Sequence, residues 1–362
     1  MSTIKLTGIL LILFMQVALS QSAGDAIRIR QNEIGFGARN LAMGGNGVAS
    51  AMDYSAIYWN PAGLASLKNT QITGEISYLN FSNSATFNSS FSEMDNSFTR
   101  FRNIGIALPF PTSRGSLVIA FGYNHVKDFD DYLYFSGFNQ ISNGLEFKLT
   151  DEFGVDQWYP FDRNVTQTEE VISSGGLHQW SAGGAIAVSP TLDLGATVNL
   201  WSGSEEYNRD FFQEDAEDYY SVYPADFTSY SVSDHLNTDF KATNLKLGGM
   251  LKLNRITRLG LTMEFPTTFT VTENYASSDE LVFDDGYVDA IEYEPGTWDY
   301  KVRTPYRFDT GIGFFLENVN LTAGATFQDW KQTRFEKPDR ADDADYRYLF
   351  DENRNIQQNY RE

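Results

Sequence analysis

The sequence predicts an all-β fold, an antiparallel transmembrane β-barrel whose lumen is plugged by a small N-terminal helical hatch. Three observations predict it: hairpins with period-two apolar alternation, a strict asymmetry between tight and long connections, and an N-terminal export segment. Composition sets the frame. The 362 residues include 28 Phe, 20 Tyr and 6 Trp, so the chain carries far more apolar surface than a disordered acidic segment would. A formal net charge of -21 with no basic run removes the electrostatic attraction on which nucleic-acid binding depends. With no Cys there is no disulfide, thiolate nucleophile or lipid-anchoring cysteine. A mean hydropathy of -0.35 and a single long apolar run exclude a helical membrane protein, but not a barrel.

That single run is the export segment. Lys5 precedes an apolar stretch from Leu6 to Leu19, and Ala18-Leu19-Ser20 places small residues where a signal peptidase reads. The expected organisation is a signal peptide over 1–20, a hatch over 21–69 and a barrel over 70–362.

The barrel strands are read from alternation. Ile104, Ile106, Leu108 and Phe110 share one face, and after Pro111-Thr112-Ser113-Arg114-Gly115 the pattern resumes with Leu117, Ile119, Phe121 and Tyr123. The same unit recurs from Trp180 to Leu200, from Leu245 to Phe265 and from Tyr306 to Phe327, and an earlier strand carries Ile72, Gly74, Ile76 and Tyr78. Polar stretches of roughly 124–177, 203–238 and 272–300 separate these hairpins. Tight turns at one end and long loops at the other, with strands of about 9 to 11 residues, are the layout of an outer-membrane barrel. Asn103, Ser116, Ser181, Thr197, Lys246 and Thr322 are expected to face the lumen. Ile106, Leu117, Ile186, Val198, Leu247 and Leu321 are expected to face lipid. Phe98, Phe101, Tyr123, Phe129, Tyr132, Tyr134, Trp180, Trp201, Phe269, Tyr306 and Trp330, near strand ends, are expected to form interfacial girdles.

The segment from Gly35 to Leu64 lacks this alternation and is dense in Gly and Ala. Asp53 is expected to cap a short helix over Ala56 to Trp59. Pro61 ends that helix, and Asn60 caps a one-turn helix that stops at Gly63. Gly44, Gly45 and Gly47 permit backbone conformations closed to other residues.

Gly37-Ala38-Arg39, Ala42-Met43-Gly44-Gly45, Ser55-Ala56 and above all Trp59-Asn60-Pro61-Ala62-Gly63-Leu64 resemble the N-terminal hatch of the FadL family of outer-membrane transporters for long-chain fatty acids and other hydrophobic compounds. The resemblance covers about thirty residues, and the hairpin rhythm behind it is compatible as far as Trp330. It implies a 14-stranded barrel, a hydrophobic site below the extracellular loops, passive diffusion, and a break in the wall near the third strand. Nine strands are legible, with a tenth expected to start near Ile356. An open edge in hydrocarbon would leave backbone groups unpaired, so the reading expects a barrel truncated at its C-terminus.

The expected function is therefore passive outer-membrane transport of hydrophobic small molecules, fatty acids or aromatic hydrocarbons, by a monomer in contact with outer-membrane lipid and lipopolysaccharide. Gly44, Gly45, Asn60, Pro61, Ala62 and Gly63 are the candidate gate, and Phe36, Leu41, Met43, Tyr58 and Trp59 the candidate ligand contacts. The alternative is a PorV-like barrel serving type IX protein secretion or surface attachment, whose hatch carries a related W-N-P-A sequence. No cofactor, metal site or catalytic residue is expected. The acidic loops read as solvated faces. His125, His178 and His235 are scattered, and neither G-x-S-x-G nor H-E-x-x-H occurs.

Overall fold

The computed structural model describes residues 22–150, 153–339, 341–344 and 346–360; the expected signal peptide lies outside them. The described residues open with three short helices, α1 (Ala23–Arg28), α2 (Ala38–Ala42) and α3 (Ala56–Trp59), and a 3-10 helix over Pro61–Ser66. The strands follow: β1 (Gln71–Phe87), β2 (Ser90–Phe110), β3 (Leu117–Asp128), β4 (Asp131–Asn139), β5 (Glu146–Thr150), β6 (Asp156–Pro160), β7 (Val165–Ala187), β8 (Leu192–Glu214) and β9 (Phe227–Lys252). Then come β10 (Thr257–Glu264), β11 (Thr268–Phe283), β12 (Val288–Glu292), β13 (Gly296–Arg303), β14 (Arg307–Phe315), β15 (Asn320–Gln328) and β16 (Arg334–Glu336), before a last helix, α4 (Arg347–Asn359).

One antiparallel sheet runs β1-β2-β3-β7-β8-β9-β10-β14-β15, with β4 pairing β7, and β11 pairing β9 and β13. It curls around the helical N-terminal segment. Its two edges, β1 and β15, do not pair with each other among the described residues.

The alternation sorts the two faces. Ile72, Ile104, Ile119, Leu194, Leu247 and Leu261 point outward and are exposed, whereas Asn103, Ser181, Thr197 and Lys246 point inward and are buried. Strong apolar alternation therefore marks only the zone where the outside is apolar. The strands themselves run far beyond it: β7 and β8 each have 23 residues and β9 has 26. Stretches expected as long loops are therefore largely paired strand, because a ladder needs no apolar face once water bathes the outside.

Three sequence expectations are corrected. Ile356 is not the start of a tenth strand; it is fully buried on α4. Trp201, Phe269 and Phe129 are not girdle residues: parity on β8 and β11 turns Trp201 and Phe269 into the concave side, and Phe129, between β3 and β4, is buried with them. Gly63 does not stop the second hatch helix, which continues to Ser66. A side chain at Gly63 would stand 2.0 Å from the Ala51 carbonyl oxygen, so the glycine allows close approach of two hatch segments.

Candidate functional site

The hatch is seated on a floor of glycines. On the inward face of successive strands, an added Cβ would strike the hatch at Gly105 and Gly122 (Tyr54), Gly195 (Pro61), Gly248 (Asn60), Gly260 (Val48) and Gly324 (Asn46). Side chains there would occupy volume that the hatch fills, with side chains at Gly105, Gly122, Gly248 and Gly324 and with backbone at Gly195 and Gly260.

Asp53 does not cap α3: the N-cap is Ser55, without a side-chain cap bond, and Asp53 instead accepts the Ser55 backbone N–H at 2.9 Å in the turn before the helix. Asn60 then does more than cap. Its Oδ1 accepts from Ala62 N at 3.1 Å, while its Nδ2 donates to Val48 O at 2.7 Å and to Gly249 O of β9 at 3.1 Å. One fully buried amide thus ties two hatch segments to the wall. Pro61, Ala62 and Gly63 are buried beside it. Gly44 and Gly45 adopt left-handed backbone angles, φ 86° and 70°. They line a cavity of about 210 Å³ with Tyr58, Trp59, Lys246 and Arg307. Phe36 is buried against Tyr54 and Tyr58, with ring centroids 5.9 and 5.6 Å away, and accepts the Trp59 indole N–H at its carbonyl. Leu41 is half-buried against the same core, and Met43 is half-buried beside Gly44.

Charge locks hatch to wall. Arg30 pairs with Glu33 and, at 2.9 Å, with Glu264; Lys246 meets Glu264 at 3.1 Å; Arg307 meets Glu33 at 3.4 Å and Asp309 at 3.0 Å. Three cations face three carboxylates, so the cluster is neutral. Lys246 also donates to Tyr58 O, and Tyr58 to Glu33. Buried charges survive only with partners of this kind.

Above the hatch a band of polar side chains crosses the wall, one or two per strand. Asn103 donates to Glu75 at 2.7 Å, and Tyr54 to Asn124 at 3.1 Å. Asn124 donates to Ser181, Ser181 to Asn199, Asn199 to Asn244, and Asn244 to both Glu264 and Thr267. Each sits at the inward parity of its strand, which was the available sequence signal. That they meet at one level depends on strand register. The buried cluster that holds the hatch core also takes in Phe129, Leu177, Trp201, Phe240, Phe269 and Tyr300, with charged groups beside them: Arg30 lies over Trp201, Lys127 over Phe129, and Tyr300 donates to Glu273.

The wall is interrupted beside this cluster. Pairing of β2 with β3 ends at Asn103 opposite Asn124. Two irregularities flank the point: Arg102 is skipped between Glu75 and Ile76 of β1, and Val126 is skipped where β3 meets β7. The freed Val126 carbonyl accepts from the hatch amides of Ile34 and Gly35 at 3.0 and 2.9 Å. Past the break, side chains take over. Arg102 reaches Asp128 at 2.6 Å, His125 reaches the same carboxylate at 2.7 Å, and Arg100 pairs with Asp130. His125 and His178, which the sequence left scattered, face each other across β3 and β7 with ring centroids 4.6 Å apart. No group of three or more metal-ligating side chains gathers among the described residues.

A curled antiparallel sheet holding a tethered N-terminal hatch has the architecture of a plugged β-barrel. Among solved structures, the toluene transporter TodX of P. putida is similar to it: 14% identity, a TM-score of 0.50, and 85% of this chain aligned with 77% of that one. The toluene transporter TbuX of Ralstonia pickettii aligns at 14% identity and a TM-score of 0.44, over 86% of this chain and 77% of that one. The CymD monoaromatic hydrocarbon channel aligns at 13% and 0.46, over 85% and 74%. These are transporters of the FadL family, the family that the hatch motif resembles. No family model matches the sequence, and no curated protein is significantly similar to it.

Proposed function

We propose that the chain is a passive outer-membrane channel for hydrophobic small molecules, with the hatch as stopper and the break between β2 and β3 as the exit. The observation that carries this reading is the break beside Phe129, which lies in the buried apolar cluster with Trp201 and Phe269. The hatch side is closed by the glycine-seated hatch, the neutral ion cluster and the asparagine band. An apolar solute leaving there would have to displace that whole layer, whereas at the break no ladder bonds join β2 to β3 and only side-chain pairs such as Arg102–Asp128 would have to part. The exposed apolar outer face is the surface that lipid and lipopolysaccharide would cover.

The test is a reversible staple across the break. Replacing Arg102→Cys and Asp128→Cys in a chain with no other thiol allows one disulfide to close the gap. Uptake of a radiolabelled hydrocarbon into proteoliposomes should fall when the pair is oxidised and recover on reduction. Equal uptake in both states would overturn the exit route, and no uptake by the parent chain would overturn the channel.

A further inference from the structure

Past the break, the seam between β2 and β3 is held by charge, and two histidines are built into it. Asp128 of β3 is the shared acceptor. Across the gap it meets Arg102 of β2 at 2.6 Å, and on its own strand it meets His125 at 2.7 Å; Arg100 of β2 lies 3.7 Å from it and pairs with Asp130. His125 is seated over Gly176 of β7, where an added Cβ would stand 2.4 Å from its ring, and it faces His178 of the same strand. His178 stacks on Tyr123, and the charged or titratable groups acting on it are His125, Asp128 and Arg100. Lys127 is turned away, onto the Arg28 and Gln31 carbonyls of the hatch.

The closed seam is imperfectly satisfied. Arg100 Nε, Arg102 Nη1, Asp130 Oδ2 and His178 Nδ1 are buried there without a hydrogen-bond partner among the described residues. The joint therefore gains less from closing than its ion pairs suggest, and one added charge can decide whether it holds.

We propose that the seam is a proton-operated latch, in which a proton taken up by the His125–His178 pair parts β2 from β3. The proposal rests on the channel reading and adds the regulation of its exit. With both imidazoles neutral, Arg100 and Arg102 face Asp128 and Asp130, two charges of each sign. A proton on either ring leaves three cations against two carboxylates. The new charge sits on the β3–β7 side of the gap, while both arginines come from β2. A charged His125 also binds Asp128 more strongly than a neutral one, so it competes with Arg102 for the acceptor that spans the gap. Both effects act in one direction. Parting the strands relieves the repulsion, so the open state takes the proton more readily and acid favours opening. Imidazole is the side chain whose charge changes between about pH 5 and 8, which sets the working range. With ring centroids 4.6 Å apart, the two histidines share one proton.

The experiment uses the full chain in proteoliposomes with two readouts, at about pH 7.5 and about pH 5.5. Spin labels at Thr99→Cys of β2 and Ile172→Cys of β7, both exposed on the outer face of a Cys-free chain, report the width of the seam without transport. The distance between them should lengthen in acid, and uptake of a radiolabelled hydrocarbon should rise at least about threefold. His125→Asn keeps a donor for Asp128 but cannot take the proton, so both responses should vanish or shrink sharply. His235→Asn, at a histidine bonded to Asn208 on the distant β8–β9 face, should leave both responses intact. An unchanged label distance in the parent would overturn the latch, as would a full acid response in His125→Asn. Uptake that persists without any pH response leaves the channel standing and removes the latch. A seam that widens in acid while the parent carries no hydrocarbon at either pH keeps the latch and sinks the channel.

Discussion

Asn60 of the hatch rests on Gly248 of β9 so closely that a Cβ at position 248 would stand 2.2 Å from the Asn60 Oδ1. The contact explains two sequence features at once, the asparagine before Pro61 and the glycine pair Gly248-Gly249 within a strand. Gly248→Ala should therefore unseat the hatch, costing about 1–3 kcal/mol as overpacking. Gly249→Ala is the control, because its Cβ would meet nothing nearer than Leu194 at 3.8 Å. Thermal melts of the two variants should differ clearly, and equal midpoints would mean that the hatch does not sit on β9.

Asn60 can be dissected further. Asn60→Ala removes the acceptor of the Ala62 N–H and the amide that donates to the Val48 and Gly249 carbonyls, and a buried group left without a partner costs about 1–3 kcal/mol. Asn60→Asp keeps the acceptor for Ala62 but turns an oxygen toward the two carbonyls. Both variants should expose the hatch to limited proteolysis. A wild-type digestion pattern in Asn60→Asp would show that capping alone matters.

Glu264 is the shared partner of Arg30 and Lys246, at 2.9 and 3.1 Å. Glu264→Gln leaves two buried cations facing a neutral amide, and unfolding in denaturant should reveal a loss of about 3–5 kcal/mol. Combining it with Arg30→Met should recover part of that loss. Strict additivity of the two substitutions would argue against a shared network.

Thiol labelling separates the faces in this Cys-free chain. Leu261→Cys and Ile119→Cys, at positions 63% and 49% exposed on the outer face, should react with a membrane-soluble maleimide. Ser181→Cys and Thr197→Cys, at positions 0% and 1% exposed, should react from neither phase, because the hatch and the asparagine band fill the inside. Rapid aqueous labelling of the second pair would imply an open lumen at that level.

Much of this architecture was legible in the chain. Alternation is a local property, so Ile104, Leu117, Leu194 and Leu261 announced the outer face without knowledge of their partners. The helix over Ala56–Trp59 and the cap at Asn60 followed from short-range rules that act within four residues. Register and depth were not legible. The asparagines of β2, β3, β8 and β9 are separated by 21, 75 and 45 positions, and only antiparallel pairing brings Asn103, Asn124, Asn199 and Asn244 to one level. The place of Trp201 and Phe269 was misread as an interfacial girdle because aromatic rings suit both an interface and a packed interior. α4 was missed because Leu349 and Ile356 find apolar partners only in a buried cluster built by distant segments. The sequence alone thus determined which face each strand presents and where the hatch turns, since these depend on neighbouring residues. The tertiary structure decided what meets across the lumen and where the wall parts, because those contacts arise only once the sheet has curled.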